Sequence, residues 1–132
     1  MKLNFSIIVP VYNRPNEIDA LLESLTKQHF SDDFEVLIIE DGSEIAAENI
    51  VKKYKSQLNV HYFFKENSGA GPSRNYGMQR ATGNYFIILD SDVLLPKTYL
   101  AEVHKGLVYR FTDAFGGPDA AHESFTSLQK AI

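Results

Sequence analysis

Apolar positions recur along this chain with two alternating periods, short unbroken runs and helical i, i+3, i+4, i+7 spacing, so strand-like and helix-like segments follow one another. Phe5 to Val11 reads as a first buried strand, with Ile7-Ile8-Val9 β-branched. Tyr12-Asn13-Arg14-Pro15-Asn16 breaks it, and Pro15 suits the first turn of a helix whose apolar face is Ile18, Leu21, Leu22 and Leu25. Phe34 to Ile39 is a second strand, ending at Glu40-Asp41-Gly42-Ser43. Ser43 has the chemistry of an N-cap for a helix carrying Ile50, Val51 and Tyr54. Val60 to Phe64 is a third strand, followed by a helix from about Pro72 to Thr82 with Gly83 placed to stop it. Tyr85 to Leu89 is a fourth strand, and its four consecutive apolar residues after Tyr85 predict burial on both faces. Beyond it, Pro96 precedes a helix with Leu100, Val103 and Leu107 inward, and Phe111 to Phe115 is a candidate fifth strand.

This alternation predicts an α/β fold, a mostly parallel sheet with helices on both faces, because parallel neighbours need crossovers and crossovers are usually helices. The 132 residues amount to one domain. Hydrophobic content of 44% with 23% charged residues is that of a globular protein. A formal net charge of −4, with scattered Lys and Arg, argues against a nucleic-acid surface. The absence of cysteine removes disulfides and thiolate chemistry and suits a cytoplasmic protein. No apolar stretch is long enough to span a bilayer, so association with a membrane would come through other segments or partners.

In parallel sheets ligands bind outside the carboxyl ends of the strands. The residues expected there are Tyr12-Asn13-Arg14, Glu40-Asp41, the Gly-rich stretch around Gly69, and Asp90-Ser91-Asp92. Residues i and i+2 of an extended chain point the same way, so Asp90 and Asp92 converge if the strand continues through them, whereas a turn there changes the geometry. Two such carboxylates are a natural seat for Mg²⁺ or Mn²⁺ carrying phosphate oxygens. Gly69-Ala70-Gly71-Pro72-Ser73-Arg74 imitates a dinucleotide fingerprint, but Arg74 stands where the third Gly is required, and no Gly-Lys-Ser/Thr makes it a Walker loop. It still offers a helix N-terminus and the cation of Arg74 to an anion.

Four segments together resemble a known family. Ser6-Ile7-Ile8-Val9-Pro10-Val11-Tyr12-Asn13-Arg14, Glu35 to Ser43, Asn67 to Gly77, and Ala81 to Asp92 look like the nucleotide-binding half of family 2 glycosyltransferases, which have the GT-A fold, a Rossmann-like nucleotide-diphospho-sugar transferase architecture. The resemblance covers about Ser6 to Pro96. It implies that Pro10, Val11 and Tyr12 lie against the nucleotide, with Arg14 in the same loop. Asp41 would accept a hydrogen bond from uracil and Arg74 would approach the base or phosphates. Asp90, Ser91 and Asp92 would form the Asp-x-Asp motif, with Asp90 and Asp92 on a divalent cation and Ser91 beside the donor. Glu40 stands where the family usually has Asp, a departure expected to have no effect.

The implied activity is inverting, metal-assisted transfer of a hexosyl or N-acetylhexosaminyl group from a UDP-sugar to a saccharide or lipid-linked acceptor, in polysaccharide biosynthesis at the cytoplasmic face of a membrane. Inversion needs a general base on the acceptor. The resemblance implies that this base comes from an acidic motif well downstream of the Asp-x-Asp strand, so it is expected beyond Ile132. The tail itself offers the carboxylates Asp113, Asp119 and Glu123, with Asp119 and Glu123 as weak candidates for the base. Residues 113–132 read as the start of the acceptor side, and the expectation is a truncated chain that binds donor without transferring sugar. The alternatives are a non-catalytic nucleotide-sugar-binding module and a nucleotidyltransferase. The latter usually carries a Gly-rich loop with Lys or Arg directly after the first strand, where this chain has Tyr12-Asn13-Arg14-Pro15.

Overall fold

The computed structural model describes residues 2–109. Their elements run β1 (Phe5–Val11), α1 (Pro15–Thr26), β2 (Phe34–Asp41), α2 (Glu48–Lys53), β3 (Asn59–Lys65), α3 (Ala70–Arg80), β4 (Tyr85–Ile88) and α4 (Tyr99–Tyr109). The strands form one sheet in the order β3-β2-β1-β4. All three pairings are parallel, with Ile7 of β1 opposite both Val36 of β2 and Ile87 of β4. Alternation along each strand sends side chains to two faces. Phe5, Ile7, Val9 and Val11 join Val36, Ile38, Val60 and Ile87 in a large core completed by α1, Val51 of α2 and α4. Ile8, Leu37 and Ile39 face the other way, under α3. Gly77 lets α3 approach closely, since a Cβ there would lie 2.5 Å from Ile8 Cγ2.

The α/β plan with helices on both faces is therefore present, and the inward faces of α1 and α4 are the expected ones. The fourth strand differs. Among the described residues β4 is an edge, and Phe86 is exposed on the face that α3 covers over β1 and β2. An apolar run alone does not distinguish a central strand from such an edge. The candidate strand Phe111 to Phe115 and the whole region 113–132, with Asp113, Asp119, Glu123 and the last residue Ile132, lie outside the described residues. The expectation of a general base beyond Ile132 therefore falls outside them as well.

Two helix boundaries also differ from expectation. Ser43 does not cap α2, which begins at Glu48 after Ala47, because its hydroxyl is engaged elsewhere. Nor does Gly83 stop α3. That helix ends at Arg80, with Ala81 already extended. Gly83 is small because its backbone runs against β1: a Cβ there would lie 2.4 Å from the Asn4 carbonyl oxygen, while its N–H donates to Ser6 Oγ at 2.8 Å.

Tyr99 is fully buried, and its hydroxyl has no hydrogen-bond partner among the described residues. Burial pushes its phenol pKa up, since the anion has no water. A buried hydroxyl without a partner costs about 1–3 kcal/mol. Tyr99→Phe is accordingly expected to stabilise the fold by about 1 kcal/mol, read as a higher urea midpoint at unchanged m-value.

Candidate functional site

The sheet order places a topological switch point between β1 and β4, since the chain winds outward to β2 and β3 on one side and returns to β4 on the other. The crevice at the carboxyl ends of these strands is the usual ligand position in such sheets. Three loops and the turn after β4 meet there, and the structure shows how each is held.

The β1 loop is fixed by Asn13. This residue has φ of +52°, a left-handed conformation that Asn tolerates better than most residues. Its N–H donates to Ser43 Oγ at 2.8 Å, and its Oδ1 accepts from the N–H groups of Glu44 and Ile45 at 2.8 and 3.0 Å. The loops after β1 and β2 are thereby tied together, leaving Tyr12 half-exposed at the crevice, Val11 buried and Pro10 partly buried. Arg14 is exposed, with its Nε 3.8 Å from Glu17.

Glu40 and Asp41 end β2 on opposite faces and do different work. Glu40 is fully buried; it accepts from Ser43 Oγ, from the Ala47 N–H at 2.7 Å and from the Tyr62 hydroxyl at 2.9 Å. The Glu40 side chain thereby reaches the start of α2 and Tyr62 together. Asp41 is also buried. Its Oδ1 accepts from Lys65 Nζ at 2.7 Å and the Ser68 N–H at 2.8 Å, and its Oδ2 from the Gly69 N–H at 2.9 Å and Asn67 Nδ2 at 3.3 Å. Asn67 Nδ2 also donates to the Asp41 carbonyl at 2.8 Å. Gly42 allows this closure: its φ is +68°, and a Cβ would meet the Asn67 nitrogen at 2.6 Å.

Burial alone would raise the Asp41 pKa, but the Lys65 ammonium and the Ser68 and Gly69 amides outweigh it and hold the carboxyl below its ordinary value. Glu35, at the other end of β2, behaves alike: burial opposes ionisation, while Ser6 and the Thr82 N–H, each 2.6 Å from Oε2, together lower its pKa with His61 helping. A depressed carboxylate pKa contributes stability that is complete above the unfolded-state value and is lost as pH falls through the folded one. Stability is therefore expected to be flat on the acid side down to about pH 5 and to fall below about pH 4. Asp41→Asn should flatten the acid limb in urea denaturation measured across pH.

The Gly-rich stretch opens α3 two residues earlier than its Pro suggests, at Ala70, with Gly69 at φ +101° as the preceding residue. Arg74 is half-buried in the second turn, and its Nε is buried without a hydrogen-bond partner among the described residues. An ordinary surface Arg would have that nitrogen in water.

The turn after β4 corrects the extended geometry expected for Asp90 and Asp92. The strand ends at Ile88, and the Val93 N–H donates to the Asp90 carbonyl at 3.3 Å, so the two carboxylates occupy the first and third positions of a β-turn. Both are exposed, while Ser91 donates to Glu17 Oε1 at 2.9 Å and ties the turn to α1. A hollow of about 270 Å³ opens between them, lined by Asn16, Glu17, Ala20, Ser91, Asp92 and Leu94. No group of three or more His, Asp or Glu able to hold a metal occurs among the described residues. Two exposed carboxylates still fit a hard cation that takes its remaining ligands from water and phosphate. A larger hollow of about 510 Å³ lies at the amino ends of the strands. Asp32, Asp33 and the fully engaged Glu35 line it, a poor setting for a diphosphate.

Residues 6–130 match the Glycosyl transferase family 2 model. The chain belongs to glycosyltransferase family 2. It is 37% identical over 103 residues to poly(ribitol-phosphate) β-N-acetylglucosaminyltransferase TarS of Staphylococcus aureus (strain Mu50), covering 76% of this chain and 18% of that protein. The chain thus spans less than a fifth of this relative's length. The crystal structure of S. aureus TarS 1–349 with UDP-GlcNAc superposes with a TM-score of 0.79 at 33% identity, over 88% of this chain and 36% of that one. The mannosyltransferase PcManGT of Pyrobaculum calidifontis, in complex with GDP-Man and Mn²⁺, gives 0.75 at 26% identity, over 81% and 33%. These neighbours establish the GT-A architecture for this family 2 domain.

Lys65 is the site residue that sequence reasoning missed. Asn13 stands in the Tyr12-Asn13-Arg14 segment expected at the sheet edge, and what the sequence did not show is that it ties the loops after β1 and β2 together. Lys65 ends β3 as an ordinary surface lysine would, and the partner that matches its charge, Asp41, stands on another strand.

Proposed function

We propose that this domain binds a nucleoside-diphosphate sugar, a UDP-sugar in the first instance, and holds it for inverting transfer of a hexosyl or N-acetylhexosaminyl group to a saccharide or lipid-linked acceptor. The observation that carries the proposal is the meeting of the Tyr12, Asp41, Arg74 and Asp90–Asp92 segments at one end of the sheet, beside the switch point. The UDP-GlcNAc complex of the TarS neighbour supports the choice of donor. Such a role suits polysaccharide biosynthesis at the cytoplasmic face of a membrane, although no helix among the described residues is long and apolar enough to cross one.

In this reading the β1 loop, with Pro10, Val11, Tyr12 and Arg14, forms the wall against the nucleotide. Asp41 takes the N–H of the base on Oδ2, where Asn67 makes the longest of the four contacts and keeps the Asp41 carbonyl as its other partner. Arg74 supplies the unpaired guanidinium nitrogen to the anion. Asp90 and Asp92 hold a divalent cation, Mg²⁺ or Mn²⁺, which when bound supplies Lewis-acid stabilisation of the charge on the leaving diphosphate. Ser91 fixes the turn against Glu17. The acceptor proton needs a base. Asp119 and Glu123, considered for it from sequence, lie with Ile132 outside the described residues and are assigned no role.

Calorimetric titration of the chain with UDP, GDP and TDP, with Mn²⁺ and with chelator, tests the donor reading. UDP is expected to bind tightest and to need the metal. Equal affinity for all three nucleotides would defeat the base assignment.

A further inference from the structure

Lys65 stands at the carboxyl end of β3, and its side chain is only 12% exposed. A lysine loses solvation energy by sitting so deep unless its charge is matched. Its Nζ donates to Asp41 Oδ1 at 2.7 Å, to the Glu66 carbonyl at 2.8 Å, to Ser68 Oγ, and at 3.5 Å to Ser73 Oγ of α3. One ammonium therefore gathers β2, the Gly-rich loop and the first turn of α3. An ammonium has three protons to donate, and here they hold neighbours in place.

The face of Asp41 left over is Oδ2. Oδ1 is taken by Lys65 and the Ser68 N–H, whereas Oδ2 carries the Gly69 N–H and the long Asn67 contact. A carboxylate rotated about its Cβ–Cγ bond would present a different oxygen in a different direction. The Lys65 contact to Oδ1, with the two loop amides, sets that rotation.

We propose that Lys65 is a positioning residue that determines base specificity, by locking the Asp41 carboxylate and the Gly-rich loop so that Oδ2 faces the N–H of a uracil base. This rests on the donor reading above, in which Asp41 reads the base. A carboxylate reads a ring N–H only while it is an acceptor; protonated, it presents a donor instead. Lys65 is the charged group that touches Asp41; Arg74, the nearby cation of α3, makes no ion pair among the described residues, and Glu40 faces the opposite side of the sheet toward Tyr62. Removing the ammonium should both loosen the carboxylate and let it take up a proton at higher pH. The depressed Asp41 pKa agrees with this geometry.

The test compares UDP with N3-methyl-UDP, so that titration of the phosphates cancels in the ratio of their affinities. It is run from pH 4 to pH 8 on the wild-type chain, Lys65→Met, Lys65→Gln, Lys65→Arg and Asp41→Ala, with the Asp41 carboxyl, where present, followed by carbon NMR. The wild-type ratio is expected to favour UDP at every pH. In Lys65→Met and Lys65→Gln it should shrink by about tenfold, the loss of a charge-supported hydrogen bond, and fall further on acidification, with the Asp41 midpoint moved up. Lys65→Arg should keep most of the wild-type ratio. Should Lys65→Met fail to fold, Lys65→Gln carries the test, since glutamine keeps hydrogen-bonding capacity without charge. A wild-type ratio in Lys65→Gln across the pH range, with Asp41→Ala losing it, would overturn the role of Lys65 while leaving the donor reading intact. If Asp41→Ala also keeps the ratio, the base assignment itself falls, and with it this proposal.

Discussion

Asp41→Ala is expected to destabilise the fold by about 3 kcal/mol, the lower end of the cost of breaking a buried ion pair by removing one partner. The substitution removes the acceptor of Lys65 Nζ, of the Ser68 and Gly69 N–H groups and of Asn67 Nδ2 at once. The loss stays at the lower end because Lys65 retains the Glu66 carbonyl and the Ser68 hydroxyl, and because the loop amides lie near enough to the surface for water to reach them. Urea unfolding measures it, with Asp41→Asn as the milder companion that keeps one acceptor oxygen. In the Asp41→Ala background, Lys65→Met should recover part of the lost stability, because it deletes the stranded charge. Such non-additivity is the signature of a coupled pair. Purely additive effects would show that Asp41 and Lys65 contribute independently. The same Asp41→Ala variant should lose UDP affinity, and thermal denaturation with and without nucleotide separates that loss from the loss of fold.

The case of Asp41 also shows which parts of this architecture are written locally. The faces of α1 and β1 follow from spacing alone, because Ile18, Leu21, Leu22 and Leu25 need only their own periodicity to find the sheet. Ser43 carries the local signature of an N-cap, yet its hydroxyl is drawn to Glu40 and its oxygen to the Asn13 N–H, 30 residues away in sequence. Glu40 lies within a local reading, but a propensity read within four residues has no access to Asn13. Gly83 looks like a helix stop for the same reason, and only the nearness of the Asn4 carbonyl shows that its missing side chain serves packing against β1. The acidic strand ends were legible because unpaired-looking charge at the end of an apolar run is conspicuous. Lys65 was not, since lysine after a strand is ordinary until the folded neighbours reveal that it is enclosed. The Asp90–Asp92 pair falls between these cases: the residues stand out in the sequence, whereas the turn that replaces an extended strand is set by the Val93 N–H reaching back to Asp90.

Asp92→Ala is expected to leave stability within about 0.5 kcal/mol of wild type while abolishing metal-dependent affinity for UDP. The first half follows from position. Asp92 is exposed on a turn, its side chain makes no hydrogen bond or ion pair among the described residues, and the turn keeps its backbone bond from Val93 to Asp90 and its anchor from Ser91 to Glu17. The second half follows from charge. A diphosphate and the carboxylates of Asp90 and Asp92 repel one another unless a cation lies between them, so the pair opposes donor binding when metal is withheld. Removing Asp92 should then act in opposite directions: with Mn²⁺ the UDP affinity drops toward the chelated level, and with chelator it rises slightly above wild type because one repelling charge has gone. A merely structural Asp92 would weaken binding by the same factor in both conditions. Calorimetry of the wild-type and variant chains with UDP, in Mn²⁺ and in chelator, distinguishes the two, and a wild-type affinity indifferent to chelator would remove the metal from the site altogether.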